Sequence, residues 1–288
     1  MSEWAVASAP ATTANLGPAF DCMAMALQPR CAVRAAMSDG WAIEHMSEHG
    51  PGAGESDAVL AAAKRAVGDR PLAISVETEV PLGRGLGSSA AAFVAGAAAA
   101  LLAVGAEAEP DRVFRIAAEL EGHSDQVGAA VHGGWVMVPA EGPPIRLPLH
   151  TSLRPVVAVP PTRLPTQRAR AVLADKLPMD LVIRSLARVS GLTAGLITGD
   201  PETLAAARGD EIHETVRAEL SPEVGELMDA ARRAGAVHAA RSGAGPSVVA
   251  FADSAAADQV AAAFRRAGAD VIDEPMDTLG LVVGREPG

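Results

Sequence analysis

The 288-residue sequence predicts a folded protein of mixed helices and strands, of α/β or α+β class, built in two parts. Three observations carry this. Segments with strand alternation and segments with helical spacing follow one another along the whole chain, the pattern of layered mixed folds. At about 150 residues per domain the length corresponds to roughly two domains. The Pro-rich stretch Glu141-Gly142-Pro143-Pro144 falls near the middle and sets a boundary near residue 150.

In the first part, Trp4 to Ala9 and Cys31 to Met37 read as strands, with β-branched and apolar residues between turn formers. His49 to Gly54 is a loop. Ser56-Asp57 can cap a helix over Val59 to Val67. Leu72 to Val80 alternates through Ile74, Val76, Thr78 and Val80 and reads as a strand. Pro81 to Gly87 is a tight glycine-rich turn, followed by a long apolar helix over Ser88 to Val104. Asp111 to Leu120 is a further helix, Gly122 to Gly134 begins as a polar turn, and Trp135 to Val138 is a strand. The second part opens with a strand over Arg154 to Val159. Helices follow near Arg168–Leu173, Asp180–Thr198, Pro201–Gly209, Pro222–Ala234 and Ala255–Ala267. Strands are expected at Ala236–Ala240, Ser247–Phe251 and Leu279–Val283.

Composition narrows the function. Lys+Arg number 24 against 35 Asp+Glu, a net charge of −11, which disfavours binding to a nucleic-acid backbone or an anionic membrane. Aromatic residues make up 3%, with no Tyr, leaving few platforms for stacking single-stranded bases. Cys22 and Cys31 match no zinc spacing and form no disulfide framework, so a reducing cytoplasm is the expected location. Met1-Ser2-Glu3-Trp4 has no basic region followed by an apolar core, so no signal peptide is expected. The run Gly85 to Ala106 has no charge and could span a bilayer by length. Its apolar content is mostly Ala and Gly, which gain little from lipid, so a helix buried inside the protein is expected.

The most informative segment is Pro81-Leu82-Gly83-Arg84-Gly85-Leu86-Gly87-Ser88-Ser89. A strand enters it and a helix leaves it. Small residues let the backbone approach a phosphate, and the first amides of a helix have no partner within it and bind anions. The Ser88 and Ser89 hydroxyls can reach a phosphate or a magnesium ion. The segment lacks the Gly-x4-Gly-Lys pattern of the common phosphate loop. It also lacks the third glycine of a dinucleotide fingerprint, which argues against an oxidoreductase. Read alone, it is equally a tight helix cap packed on a sheet.

The loop resembles the signature of the GHMP kinase superfamily. Two further segments sharpen the resemblance: Ala9-Pro10-Ala11-Thr12-Thr13-Ala14-Asn15-Leu16-Gly17-Pro18-Ala19-Phe20-Asp21 and Ser242-Gly243-Ala244-Gly245-Pro246-Ser247. Their order and spacing are similar to the homoserine kinase family, over nearly the whole chain. The resemblance implies an α+β, two-domain fold. Residues 1–150 would form an ATP-binding α/β domain with a left-handed βαβ unit, and residues 151–288 a ferredoxin-like domain. It implies ATP and Mg²⁺ as cofactors, L-homoserine as substrate, and a homodimer. Two alternatives stay open: a kinase of the same superfamily for a different hydroxy-amino acid or alcohol, and a nucleotide-binding regulator without catalysis.

Site residues follow from the same resemblance. Pro81, Gly83, Arg84, Gly85, Leu86, Gly87, Ser88 and Ser89 would hold the triphosphate. Asp57 stands where the family has an Asn near the adenine. Glu119 with Ser89 is the expected magnesium pair, and Glu121 is the substitute. Asn15 and Asp21 would take the ammonium of the amino acid, although an Asn in such a turn also bonds its own backbone. Arg170, in Thr166-x-x-x-Arg170, and Arg217 would take the carboxylate, since a guanidinium fork matches two oxygens. His123, Gln126, Thr166 and Gly243 complete the substrate list, with Ser89, Glu119, Asn15 and Arg170 named as catalytic. Gln126 replaces the family's Asn, and Ser124 its Pro, which leaves the acceptor's shape open. Asp125 is expected to be structural, with direct attack and no dedicated base.

Overall fold

The computed structural model describes residues 3–47 and 57–287; the loop assigned to His49–Gly54 and the Ser56 part of the helix cap lie outside the described residues. In chain order the elements are β1 (Trp4–Ala14), β2 (Met23–Met37), β3 (Ala42–His45), α1 (Ala58–Val67), β4 (Leu72–Thr78), α2 (Ser88–Ala103), α3 (Pro110–Glu121), α4 (Asp125–His132), β5 (Trp135–Met137) and β6 (Ile145–Leu147). The second part runs β7 (Leu153–Val159), α5 (Thr166–Arg170), α6 (Met179–Thr198), α7 (Pro201–Ala206), α8 (Glu214–Arg217), α9 (Glu223–Arg233), β8 (His238–Arg241), β9 (Val248–Asp253), α10 (Ser254–Arg266), β10 (Asp270–Ile272) and β11 (Val282–Glu286).

The strands sort into two sheets. The first has the order β11-β1-β2-β4-β3, with β5 pairing β2 and β6 pairing β5. Its β3 and β4 are parallel and are joined through α1, while its other pairs are antiparallel. The second is antiparallel throughout, in the order β10-β7-β9-β8. Its strands alternate. Val156, Ala158 and Ala250 face the core shared with α9 and α10, whereas Val157, Val159 and Phe251 join the main core. Both faces of this sheet are therefore covered.

β2 begins eight residues before the expected strand. Pairing passes from Pro10↔Arg30 to Thr12↔Ala26, a register shift. Pro29, which has no N–H to give, falls inside that irregularity, so the strand continues through a residue that reads as a terminator. The polar turn after Gly122 is short, because Val127, Ala129, Ala130 and Val131 bury the apolar face of α4. β11 lies three residues beyond the expected strand. It pairs with β1, so the chain returns to the first sheet after completing the second.

The uncharged run is α2, and it is buried on all sides, with ten of its sixteen residues in the interior. It packs on β1, β2 and α1. A Cβ on Gly96 would lie 2.8 Å from the Val59 carbonyl oxygen, which shows how closely α1 and α2 approach. Small residues set this distance. Among the described residues, α6 is the one helix long and apolar enough to cross a membrane.

Candidate active site

Three glycine-rich turns, distant in sequence, are bonded into one unit. Thr12 N–H donates to the Leu86 carbonyl at 2.9 Å, and Gly243 N–H to the Ala14 carbonyl at 3.0 Å. Ser247 N–H donates to the Arg84 carbonyl at 3.2 Å, and the Ser242 hydroxyl to the Gly85 carbonyl at 2.7 Å. The Asn15 amide donates to the Gly243 carbonyl at 2.9 Å and its oxygen accepts from Asp21 N–H at 3.0 Å. Two glycines are required here. Gly85 and Gly87 have φ of 74° and 64°, and a Cβ would collide with the Ser242 carbonyl oxygen at the first and the Thr12 hydroxyl at the second.

Above this unit lies an open cleft lined by residues of all three turns. The turn after β1 contributes Asn15, Phe20 and Asp21, and the glycine-rich turn before α2 contributes Gly83, Gly85, Leu86, Gly87, Ser88 and Ser89. The α3–α4 junction contributes Glu121, His123, Asp125 and Gln126. From the second part come Thr166, Arg170, Arg217, Gly243 and Ala244. Gly87 caps α2 with no side chain to satisfy the helix amides. The N–H groups at Ser88, Ser89 and Ala90 therefore have no partner within the helix and make an anion site at this end of the cleft.

At the other end, Arg170 holds the Asp21 carboxylate with two hydrogen bonds of 3.0 and 2.7 Å. The Arg170 and Arg217 guanidinium carbons stand 5.6 and 5.5 Å from the centre of the Phe20 ring, in cation–π contact. Arg217 is 1% exposed and donates through Nε to the Ala169 carbonyl at 2.9 Å. Burial, with Arg241 and Arg170 nearby, lowers its pKa to about 10, so it remains a cation at neutral pH. Asp125 is buried, and burial together with the Asp21 charge raises its pKa to about 6.

The expected residues divide. Asn15, Asp21, His123, Gln126, Thr166, Arg170, Arg217 and Gly243 all line the cleft, with Gly83, Gly85, Leu86, Gly87, Ser88 and Ser89. Glu119 does not, which corrects the expected magnesium pair. Its carboxylate is exposed and accepts from Arg65 at 3.2 and 2.6 Å. Two residues along a helix turn a side chain by about 200°, so Glu121 points inward where Glu119 points out. The Glu121 side chain is 8% exposed and accepts from the Ser89 hydroxyl at 2.9 Å. Asp57, expected near the adenine, is also off the lining. Its carboxylate caps α1 by accepting from Leu60 N–H at 2.9 Å and pairs with His45 Nε2 at 2.6 Å, apart from the cleft. Pro81 and Arg84 likewise lie off the lining; the Arg84 guanidinium donates to the Pro160 carbonyl. Phe20 and His213 escape a motif reading. The signals available were the position of Phe20 inside the Asn15–Asp21 string and the four-residue spacing of His213 and Arg217, which places them on one helical face.

Among the described residues no cluster of three or more His, Cys, Asp and Glu could hold a metal unaided. Glu121 with Ser89 still fits a magnesium–nucleotide complex, in which phosphate oxygens and water supply most ligands. Burial raises the Glu121 pKa, against the lowering effects of the Ser89 hydroxyl and the His123 and Arg170 charges. A divalent cation would offset that burial.

Known proteins share this organisation. Residues 56–134 match the GHMP kinases N terminal domain and residues 192–270 the GHMP kinases C terminal domain. A homoserine kinase of Thermus thermophilus is 40% identical over 250 residues, covering 84% of this chain and 85% of its own. One from Moorella thermoacetica is 35% identical over 272 residues, covering 90% and 92%. The crystal structure of homoserine kinase from Cytophaga hutchinsonii superimposes with a TM-score of 0.87 at 28% identity, covering 98% of this chain and 97% of that one.

Proposed function

This chain belongs to the homoserine kinase family of the GHMP kinases, and from that membership we propose that it transfers the γ-phosphoryl group of ATP to the hydroxyl of L-homoserine, giving O-phospho-L-homoserine for threonine biosynthesis. The observation that supports the reading is one cleft with the free amides of the α2 N-terminus at one end and the Asp21–Arg170 pair beside Arg217 at the other. Gly85 to Ser89 would hold the triphosphate through backbone amides. Arg170 and Arg217 would take the homoserine carboxylate, and Asp21 with Asn15 its ammonium. Asp21 and Arg170 satisfy each other, and each would become available as substrate charges replace the partner.

Glu121 and Ser89 would hold Mg²⁺, which would supply positive charge against the transferred phosphoryl group. Phosphoryl transfer needs mainly positioning and electrostatics. The ion pairs and hydrogen bonds that fix Asn15, Asp21, Arg170 and Arg217 meet that need. Gln126 borders both ends, since its amide lies near Gly87 and Gly243. We place it beside the acceptor hydroxyl, and Asp125 as a second carboxylate near the ammonium.

Residues 1–150, joined by the returning strand β11, are read as the ATP-binding half, and the rest of 151–288 as the half that completes the acceptor site. A cytoplasmic homodimer is the assembly carried over from the family. Two free cysteines are compatible with that location, and an exposed apolar face on α6, with Met179, Ile183 and Leu186, with that assembly. An acceptor panel tests the reading. ADP release is expected with homoserine, and at most weakly with threonine, serine or mevalonate. Turnover of another alcohol in place of homoserine would overturn the substrate, and ATP binding with no acceptor-dependent turnover would overturn the enzyme.

A further inference from the structure

The turn that carries Asn15 and Asp21 is strained. Asn15, Leu16 and Gly17 have φ of 70°, 50° and 94°, and Asp21 has φ of 55°. Non-glycine residues in this region cost about 1–3 kcal/mol each and persist only where surrounding structure holds them. Two buried histidines from the second part do so. His238 Nε2 lies 2.8 Å from the Leu16 carbonyl oxygen, and His213 Nε2 lies 2.8 Å from the next one, Gly17. Both side chains are fully buried.

His213 does more than hold a carbonyl. Its ring stacks on Phe20 with centroids 4.9 Å apart and planes at 25°. Its Nδ1 lies 3.1 Å from Arg217 Nη1. A guanidinium only donates, so Nδ1 must be the lone-pair nitrogen and the ring proton must sit on Nε2, directed at the Gly17 carbonyl. The nearest carboxylate oxygen, Asp210 Oδ2, is 3.7 Å from Nε2, beyond hydrogen-bond distance, and instead accepts from the backbone N–H groups of His213 and Glu214. An imidazolium would point a second N–H at Arg217. Burial and the Arg217 and Arg241 charges oppose it, against Asp210 and the Gly17 carbonyl, and hold the pKa near 4.

We propose that His213 is a positioning residue of the acceptor site: as a neutral Nε2–H imidazole it ties Arg217, which faces the substrate carboxylate, to the strained turn that presents Asn15, Phe20 and Asp21. The role in catalysis rests on the kinase reading, while the tautomer and the tie do not. One ring sets the distance between the groups that read the two charges of one small molecule. The linkage runs Arg217 Nη1–H to Nδ1, then Nε2–H to the Gly17 carbonyl, the second bond spanning 196 residues of sequence.

The test combines a spectroscopic and a kinetic arm. ¹⁵N NMR of the full chain should show the His213 ring as the neutral Nε2–H tautomer from pH 6 to 8, whether or not any acceptor is phosphorylated. An Nδ1–H tautomer or an imidazolium there would overturn the proposal. His213→Asn keeps an acceptor for Arg217 and loses the bond to Gly17, and His213→Gln keeps a donor that reaches Gly17. His213→Asn should raise the homoserine KM about tenfold or more, the scale of one lost buried hydrogen bond. The ATP KM should hardly move, and His213→Gln should recover most of the loss. Equal impairment in both variants, or equal rises in the two KM values, would mean that the ring merely supports folding and would overturn the positioning role. If no acceptor is turned over, the kinase reading fails by itself, and the tautomer decides the tie.

Discussion

Arg170 and Asp21 meet across 149 residues of sequence in a two-bond ion pair, each about one-third exposed at the mouth of the cleft. An exposed pair contributes little to stability, roughly 0–1 kcal/mol. Its place at one end of the cleft gives it a different significance. Arg170→Lys keeps the charge and loses the planar fork. The homoserine KM should rise about 10–100-fold, the ATP KM should stay within a few-fold, and thermal stability should barely change. Steady-state kinetics with each substrate varied in turn check this.

The two glutamates at the end of α3 should separate cleanly. Glu121→Gln should lower kcat by about a hundredfold or more and raise the Mg²⁺ concentration needed for half-maximal rate, as loss of a charge-stabilising ligand does. Glu119→Gln breaks an exposed pair with Arg65 and should leave both quantities close to the parent. A magnesium titration of initial rates distinguishes them, and the opposite ranking would restore Glu119.

Gly85→Ala and Gly87→Ala both force a Cβ into occupied space. At Gly87 the obstacle is a side chain, the Thr12 hydroxyl, so Thr12→Ala combined with Gly87→Ala should recover part of the ATP affinity lost in the single variant. At Gly85 the obstacle is the Ser242 backbone carbonyl, and no side-chain change should rescue it. Calorimetric ATP titrations read both.

The glycine-rich turn before α2 is legible in sequence because its glycines, its serines and the uncharged helix behind them are contiguous. The Asn15–Asp21 string and the Ser242–Ser247 turn are legible for the same reason. What joins them is not, since the Ser242–Gly85 and Asn15–Gly243 bonds span 157 and 228 residues. Glu119 and Glu121 are equally acidic in sequence, and only the rotation of α3 against the cleft separates them. Strands β3, β6 and β10 have three or four residues each, too short for alternation to register. β11 depends on its pairing with β1, a contact between the two ends of the chain.

Asp125 sets an acid limb. Its pKa of about 6 means that it is a carboxylate above pH 6 and neutral below, where the attraction for an ammonium in the proposed acceptor site would weaken. The kcat/KM for homoserine should therefore fall as pH drops through about 6. Asp125→Asn should flatten that limb, and Asp125→Ala should retain substantial turnover. A loss beyond about a thousandfold in a folded variant would assign Asp125 the role of general base.

Stability should respond to the buried imidazoles. Burial holds His213 and His238 near 4, below the ordinary 6.5. The folded state binds fewer protons than the unfolded one, so their contribution is complete above about pH 6.5 and is lost as pH falls through about 4. Asp125 near 6 and Glu214 near 7, both raised mainly by burial, act oppositely, favouring the folded state less as pH rises through those values. His238→Gln should be less stable than the parent at pH 7 yet lose less Tm between pH 6.5 and 4.5. Parallel Tm profiles for the two proteins would contradict this.

The most direct measurement is a crystal structure with a non-hydrolysable ATP analogue, Mg²⁺ and L-homoserine together. The expected result places the triphosphate on the amides from Gly85 to Ser89 and the homoserine carboxylate on Arg170 and Arg217, with its hydroxyl toward the γ-phosphoryl group. A nucleotide lodged elsewhere, with the N-terminus of α2 sealed by side chains, would contradict a kinase built on these turns.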